Sequence, residues 1–243
     1  MKSSTIDGRI EKRIFLSLVL IHLILVVLDY VFNYSLWFPS KPFRRIFNLA
    51  RDNSLGGWVA SVQSLWVGLM ALIIARGESE SKHQRGHRAG WGFIGAFFIY
   101  MSVDDACKIH ERLGSAATGW GPLQSLFDSF PSYAWQLLLG PLFAGAGVFI
   151  FVFLWKQFEW QRRKILILAL GLFALAMGVD FFEGVKDGYY ELSKNTGLSA
   201  SVASHYSRVL EEWMELMANT CFLLLFIRTL RVSGRKIQLH FAA

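Results

Sequence analysis

Long apolar runs alternate with short polar segments along the whole chain. About 20 apolar residues let an α-helix cross the hydrocarbon core of a bilayer. Runs of roughly that length lie at residues 14–33, 55–75, 89–111, 132–155, 165–183 and 200–227. The third and fifth runs carry acids near their ends. The pattern predicts an all-α fold, a polytopic transmembrane helix bundle of about six spans that forms one integral membrane domain over residues 1–243.

A shorter amphipathic segment separates the first two runs. Residues 41–53 place arginines on one side of a helix and apolar side chains on the other. This pattern predicts an interfacial helix that lies along the membrane surface as an anchor. Its predicted lipid-facing side chains are Phe43, Ile46, Phe47 and Leu49.

Composition agrees with a membrane protein. The chain is 53% hydrophobic with a mean hydropathy of +0.37, which is more apolar than an ordinary soluble domain. Its 25 basic and 18 acidic residues give a net charge of +7, which in a soluble protein suggests nucleic acid. Here most basic residues lie in short segments between apolar runs, so the expected partners are membrane lipids and not nucleic acid. The first run exceeds the usual apolar core of a signal peptide, so it is interpreted as a retained span.

The basic residues also predict an orientation. Sixteen Lys and Arg fall on one side of the membrane in four groups, at 2–13, 76–88, 156–164 and 228–236, and seven fall on the other side. Because cytoplasmic loops carry the excess of Lys and Arg, this asymmetry places both termini in the cytoplasm.

Polar residues form a stripe on the sixth run. His205, Arg208, Glu212, Glu215 and Asn219 are spaced 3, 4, 3 and 4 apart, so they share one face of a helix. An ionisable residue at mid-membrane costs roughly 2.5–3.5 kcal/mol on insertion scales, so such residues usually face a bundle interior and mark function. The stripe therefore predicts where the chemistry lies.

Several spans deliver polar groups to the same depth. If odd-numbered spans run outward and even-numbered spans run inward, four helices bring acids or histidines to the outer half of the membrane. The cytoplasmic halves of the spans are almost entirely apolar. The residues at this depth are Asp29, Asp104, Asp105, His110, Glu111, Asp180, Glu183, His205, Glu212 and Glu215, with Gln63 and Gln136 in or near the same layer. So many buried carboxylates require compensation by metal, protonation, pairing or water.

Imidazoles and carboxylates on facing helices resemble the ligands of metal sites in helix bundles. The predicted ligands are Asp104, His110, Asp180, Glu183 and His205, and the predicted metal is divalent, with zinc favoured over iron or manganese. A bound water activated by the ion, with Glu212 or Glu215 as the catalytic general base, would attack an amide or ester of a lipid.

Local spacings add three expectations. If the third run is one continuous helix, Asp104 and Glu111 share a face and Asp105 points elsewhere. His22 and Asp29 are seven apart, so His22 has either a hydrogen bond to Asp29 or a catalytic role. Arg208 beside Glu212 suggests a switchable ion pair.

Two motifs carry a resemblance to known proteins. They are Asp104-Asp105-x4-His110-Glu111 and Leu210-Glu211-Glu212-x2-Glu215-Leu216. With them the chain resembles uncharacterised bacterial multipass membrane proteins, which implies a place in the bacterial inner membrane and an architecture, but no activity. In its chemistry the site is also loosely similar to the membrane hydrolases that include alkaline ceramidases and adiponectin receptors. Those place a Ser, an Asp and three His around zinc, but in seven spans and with a His-x3-His inside a membrane helix, which this chain lacks.

Other functions use the same residue types. Acid and histidine ladders also form proton relays, so a proton- or cation-coupled transporter or channel is the rival hypothesis. A third hypothesis is a subunit of a homo-oligomer or larger membrane complex, in which the polar cluster fixes assembly. The apolar cytoplasmic halves, which offer no continuous polar route, favour the enzyme over the transporter.

Overall fold

The computed structural model describes residues 8–35, 40–51, 53–78, 85–119, 121, 124–130, 132–185 and 188–232. Regular structure in this part of the chain is helical, which confirms the all-α prediction. The helices are α1 (Gly8–Asp29), α2 (Lys41–Ile46), α3 (Leu55–Gly77), α4 (Arg85–Cys107), α5 (Ile109–Ala117), α6 (Gln124–Ser129), α7 (Ala134–Gln157), α8 (Trp160–Gly184), α9 (Gly188–Thr196) and α10 (Ala200–Val232). A π-helical turn, Tyr30–Tyr34, extends α1.

Five of these segments are long and apolar enough to cross a membrane. They are Gly8–Tyr34, Leu55–Gly77, Ala134–Gln157, Trp160–Gly184 and Ala200–Val232. They cover the first, second, fourth, fifth and sixth apolar runs of the sequence. The third run forms α4, which has a comparable length of 23 residues but carries Asp104 and Asp105 near its end.

Helix α4 packs antiparallel against α3 through small residues. A Cβ atom added at Gly68 would lie 2.9 Å from the carbonyl oxygen of Gly95, so the two backbones nearly touch. Further along the pair, the Ser61 hydroxyl donates to the Ser102 carbonyl at 2.7 Å. Close approach at glycine and serine is a common way for membrane helices to associate. Helix α4 therefore runs alongside α3 for most of its length.

The two ends of the bundle differ in character. At one end, Glu11 near the start of α1 pairs with Arg228 and Arg231 near the end of α10. The half of the bundle behind this ion pair is filled by buried apolar side chains from α3, α4, α7, α8 and α10, among them Ile74, Trp91, Leu154, Leu166, Leu225 and Phe226. Apart from Glu11, most of the buried polar side chains of the described residues lie in the opposite half, among them Asp29, Ser64, Ser102, Asp104 and Asn219.

The third run was predicted as one helix to residue 111, but in the structure it is broken. Lys108 has φ 54° and ψ 48°, the left-handed conformation, and it separates α4 from α5. The Asp104 carboxylate accepts a hydrogen bond from the His110 backbone N–H at 2.8 Å, which stabilises the turn. The predicted helical register beyond Cys107 is therefore wrong.

The interfacial helix is also shorter than predicted, because α2 ends at Ile46. Phe43 and Ile46 are exposed, as a lipid-facing side requires, but Leu49 is only 1% exposed. The backbone N–H of Leu49 donates to the Asp29 carboxylate at 3.0 Å, and its side chain packs with Ala60. This hydrogen bond draws the segment after α2 into the bundle, so the prediction that Leu49 faces lipid is wrong.

Candidate functional site

A cavity of about 740 Å³ opens at the polar end of the bundle, between α4, α5, α7, α8 and α10. One part is lined by ionisable side chains, and the deeper part by apolar ones such as Phe98, Phe143, Phe173 and Phe222. Predicted site residues from several helices meet here: Asp104, His110, Asp180, Glu183, Glu212 and Glu215. Asp105, Glu111, Glu211, Lys108 and Arg208 complete its charged lining.

A close side-chain contact in the cavity joins His110 to Asp104. The Nδ1 atom of His110 lies 2.5 Å from a carboxylate oxygen of Asp104, which is 1% exposed. The imidazole also packs edge-on against the Trp135 ring, with the ring centroids 4.6 Å apart. When Asp104 is ionised, Nδ1 carries the proton, which leaves Nε2 as the basic atom of the ring. A fixed tautomer of this kind suits both a general base and a metal ligand.

Acids outnumber cations in the lining. Eight carboxylic acids share the cavity with two permanently cationic side chains, Lys108 and Arg208, and one histidine. Lys108 pairs with Glu111 at 3.2 Å, and Arg208 pairs with Glu183. Two cations cannot balance eight ionised carboxylates. Carboxylates that repel one another inside a partly apolar cavity, where water screens them poorly, are unfavourable. The cavity therefore has the electrostatic character of a site for protons or for a cation.

The acids on α8 are held by neutral donors from the start of α7. The Gln136 side-chain amide donates to Asp180 at 2.8 Å, and the Tyr133 hydroxyl donates to Glu183 at 2.9 Å. Burial, together with the negative charge of Glu183, raises the pKa of Tyr133, so its hydroxyl stays protonated and remains a donor. These contacts fix α7 against α8 at the cavity mouth.

His205, a predicted metal ligand, lies outside the cavity lining. Its Nε2 atom is 2.8 Å from Asp29, whose other carboxylate oxygen accepts from the backbone N–H of Leu49. His110 and His205 thus have different aspartate partners, and the structure does not bring the two imidazoles to one ion. Across the described residues, no three His, Cys, Asp or Glu side chains lie close enough together to hold a metal as they stand.

Glu211 was not among the predicted site residues, because the polar face predicted for α10 is rotated about the helix axis relative to the face that lines the cavity. The cavity face of α10 carries Arg208, Glu211, Glu212 and Glu215, at positions i, i+3, i+4 and i+7. His205 lies at the edge of that face, toward α1. The i, i+3, i+4, i+7 spacing was present in the sequence and identifies Glu211.

Two local expectations were wrong, and so was one of the two alternatives for His22, the hydrogen bond to Asp29. Asp105 does not point away, since it lines the cavity and accepts a hydrogen bond from Ser64 at 3.3 Å. Arg208 pairs with Glu183 and not with the predicted Glu212. His22 is fully buried with its Nδ1 atom 3.5 Å from the Met217 sulfur, whereas Asp29 bonds to His205. The helix break at Lys108 and the contacts between helices explain these errors.

Fold and cavity together define an all-helical membrane protein with an acidic, partly apolar cavity at one end of its bundle. The chain belongs to the family described as Domain of unknown function (DUF8692), whose model matches residues 15–230. The match includes every residue that lines the cavity. No curated protein and no solved structure matches the chain.

Proposed function

We propose that this protein is an enzyme of the bacterial inner membrane that hydrolyses an amide or ester linkage of a membrane lipid inside the cavity. The observation that carries the proposal is the shape of the cavity, in which a carboxylate- and imidazole-lined part continues into an aromatic, apolar part. A lipid has the same division between a polar linkage and an apolar chain. Binding sites with few polar groups set in apolar walls are typical of small-molecule sites.

The proposal includes six spans with both termini in the cytoplasm. Helix α4 supports the sixth span because it runs antiparallel beside α3, and the ion pairs of Glu11 bring the start of α1 and the end of α10 to one end of the bundle. That arrangement supports an even number of crossings. The sixteen-to-seven asymmetry of basic residues assigns this end to the cytoplasm, although Lys2, Lys82, Arg235 and Lys236 lie outside the described residues.

The reaction needs an acceptor for the proton of the attacking water. Water adds to the carbonyl carbon of the linkage, its proton passes to a base, and the carbon–oxygen or carbon–nitrogen bond to the leaving group breaks as that group is protonated. The proposed bases are Glu212, Glu215 and the Nε2 atom of His110, and all three residues line the cavity. Asp104 holds His110 in place and stabilises the imidazolium that forms when it takes the proton.

A divalent metal is part of the proposal. A histidine that binds a metal through one ring nitrogen usually donates a hydrogen bond from the other to a carboxylate. His110 has such a contact between Nδ1 and Asp104. Asp180 and Glu215 line the same cavity, so the donor set would contain one imidazole and several carboxylates. These side chains would have to close around the ion, because no three of them meet at one point among the described residues. The ligand set predicted from the sequence contained two histidines, His110 and His205. Without His205 the set has a larger share of oxygen ligands, which suits manganese or iron as well as zinc. The ion would supply a water with a lowered pKa.

One observation favours the rival function, a proton- or cation-coupled transporter. Polar side chains continue from the cavity toward mid-membrane: Ser64 donates to Asp105 and accepts from Asn219 at 3.1 Å. Gln63, next to Ser64, donates to Thr220 at 3.1 Å. Beyond this point the described helices bury Val67, Ala71, Phe222 and other apolar side chains. The polar series therefore ends inside the bundle, which supports a site with one opening over a path through the membrane.

A direct test uses purified protein in vesicles made from a mixed bacterial lipid extract. Mass spectrometry of the lipids should reveal cleavage products that require protein and vanish in Glu212→Gln or Glu215→Gln. Glu191→Gln is the matched control, because Glu191 is exposed and pairs with Lys194 outside the cavity. An unchanged lipid profile, together with proton or cation flux that the same two variants abolish, would replace the hydrolase with the transporter.

A further inference from the structure

A second cavity, of about 550 Å³, lies at the opposite end of the bundle between the start of α1, the start of α8 and the end of α10. Its lining contains four cationic side chains and one acid: Lys12, Arg162, Arg228, Arg231 and Glu11. The lining therefore has a net charge of +3. This balance is opposite to that of the acidic cavity, so the second cavity attracts anions.

Glu11 orders part of this basic lining without neutralising it. The carboxylate is 4% exposed and forms ion pairs with Arg228 and with Arg231, the latter at 3.0 Å. The guanidinium of Arg231 fits closely against Gly8, where an added Cβ would lie 2.8 Å from its Nη1 atom. One carboxylate holds two arginines in place but balances only one of them, so three positive charges, including those of Lys12 and Arg162, are left in excess.

The start of α8 contributes to the same cavity. Gln161 and Arg162, in the first turn of this 25-residue helix, line it, and the N-cap residue Glu159 makes no side-chain cap hydrogen bond. The N-terminal turn of a long helix carries partial positive charge, which adds to that of the side chains. Helix end and cationic side chains thus point to the same class of ligand, a phosphate-like anion.

The surroundings place this cavity at the level of lipid headgroups. Trp155, near the end of α7, contacts Trp160 at the start of α8. Cationic side chains cover both rings: Arg163 lies 4.6 Å from the Trp155 ring and Lys164 lies 5.7 Å from that of Trp160. Tryptophan is enriched where a membrane protein crosses the interface. Phe15 and Leu224 supply an apolar side to the cavity, on which an acyl chain can pack.

From these contacts we propose that the basic cavity binds the phosphate headgroup of an anionic phospholipid, with its chains lying along Phe15 and Leu224. Basic pockets between helices at the cytoplasmic side of a membrane commonly bind such headgroups. The bound lipid connects α1, α8 and α10 at one end of the bundle. This site is separate from the acidic cavity, and it does not depend on the reaction proposed there.

The test measures lipid binding to delipidated, full-length protein by native mass spectrometry. Phosphatidylglycerol is compared with phosphatidylcholine of identical acyl chains, for wild type and for Lys12→Gln with Arg162→Gln. This pair leaves the Glu11 ion pairs intact. The expected result is a preference for phosphatidylglycerol that the double variant weakens roughly 30-fold, given about 1 kcal/mol for each of two basic residues near an anionic membrane surface.

Arg163→Gln is the control, because Arg163 adjoins Arg162 but lies over Trp155 and donates to its carbonyl oxygen. It should bind phosphatidylglycerol as wild type does, and thermal unfolding should show that all variants are folded. Equal binding of the two lipids, or an equal loss in Arg163→Gln, would overturn the proposal. Displacement of phosphatidylglycerol by millimolar inorganic phosphate would assign the cavity to free phosphate instead.

Discussion

His110 and Asp104 lie on opposite sides of a helix break, and their side chains meet at 2.5 Å. The same carboxylate also accepts from the backbone N–H of His110, so one side chain holds both the turn and the imidazole. Lys108, in the left-handed conformation between them, makes this approach possible. The geometry of the candidate base therefore depends on a backbone feature as much as on the two residue types.

Asp104→Asn should weaken both the fold and the proposed activity. The buried carboxylate loses its charge-assisted contact with His110, and removing a hydrogen-bond partner from a buried group costs about 1–3 kcal/mol. We expect a lower melting temperature in detergent and reduced lipid cleavage. Asp128→Asn, an exposed acid on α6, is the control and should change neither. A variant with wild-type stability would contradict the structural role assigned to Asp104.

The backbone at Lys108 makes a prediction about stability. A left-handed residue with a Cβ costs roughly 1–2 kcal/mol, and glycine avoids most of this cost. Lys108→Gly should keep or raise the melting temperature, despite losing the partly exposed pair with Glu111. Lys108→Val should lower it, because β-branched residues are disfavoured in this conformation. Thermal unfolding of the two variants side by side measures the difference, and the reverse order would exclude the left-handed turn.

The positions of the two histidines separate their expected effects on metal binding. Elemental analysis of protein purified without chelators should find a transition metal in wild type and less of it in His110→Ala. His205→Ala should retain the metal, because His205 pairs with Asp29 outside the cavity. Loss of metal in His205→Ala alone would restore the two-histidine site predicted from the sequence. A metal-free wild type would leave His110 as the proposed base without an ion.

Two glycines give a matched test of the α3–α4 contact. Gly68→Ala should destabilise the protein by about 1–3 kcal/mol, because the new Cβ lies within 3.0 Å of both Ile99 and the Gly95 carbonyl. Gly171→Ala should be neutral or stabilising by up to about 1 kcal/mol, because a Cβ there has no neighbour within 4 Å and alanine is the better helix former. Equal effects in unfolding measurements would argue against close packing of α3 and α4.

Six spans with cytoplasmic termini predict opposite accessibility for the two ends of the bundle. Labelling uses a Cys107→Ser background, since Cys107 is itself exposed. A membrane-impermeant thiol reagent added to intact cells should label Ser115→Cys on α5 and spare Gly86→Cys at the start of α4 until the cells are opened. Both sites are exposed. The opposite pattern would invert the orientation, and labelling of both in intact cells would exclude six spans.

Much of the fold followed from periodicity, because burial in a bilayer imposes a minimum helix length that is visible in the sequence. Five predicted runs match helices of spanning length, and Asp104, His110, Asp180, Glu183, Glu212 and Glu215 meet in one cavity. The depth of a residue in the membrane can be inferred from its position along the span, because each predicted span crosses the same hydrocarbon layer.

Rotation about a helix axis was harder to infer, since it depends on which neighbour each face meets. His205 was predicted to belong to the site but lies outside the cavity, next to Asp29. Glu211 was not predicted as a site residue but lines the cavity. Lys108 was missed for a different reason. A single non-glycine residue in the left-handed conformation has no periodic signal, and its conformation depends on the contacts that Asp104 makes beyond it.

The apolar packing behind the acidic cavity has a consequence for the composition of the membrane. Val67, Ala71, Ile74 and Phe226 are buried between the cavity and the far end of the bundle. If a lipid enters the cavity as proposed, it would leave by the route through which it came. Under the proposed function, substrate and products would therefore belong to the same leaflet. Turnover would change the lipid asymmetry of the bilayer without moving any molecule across it.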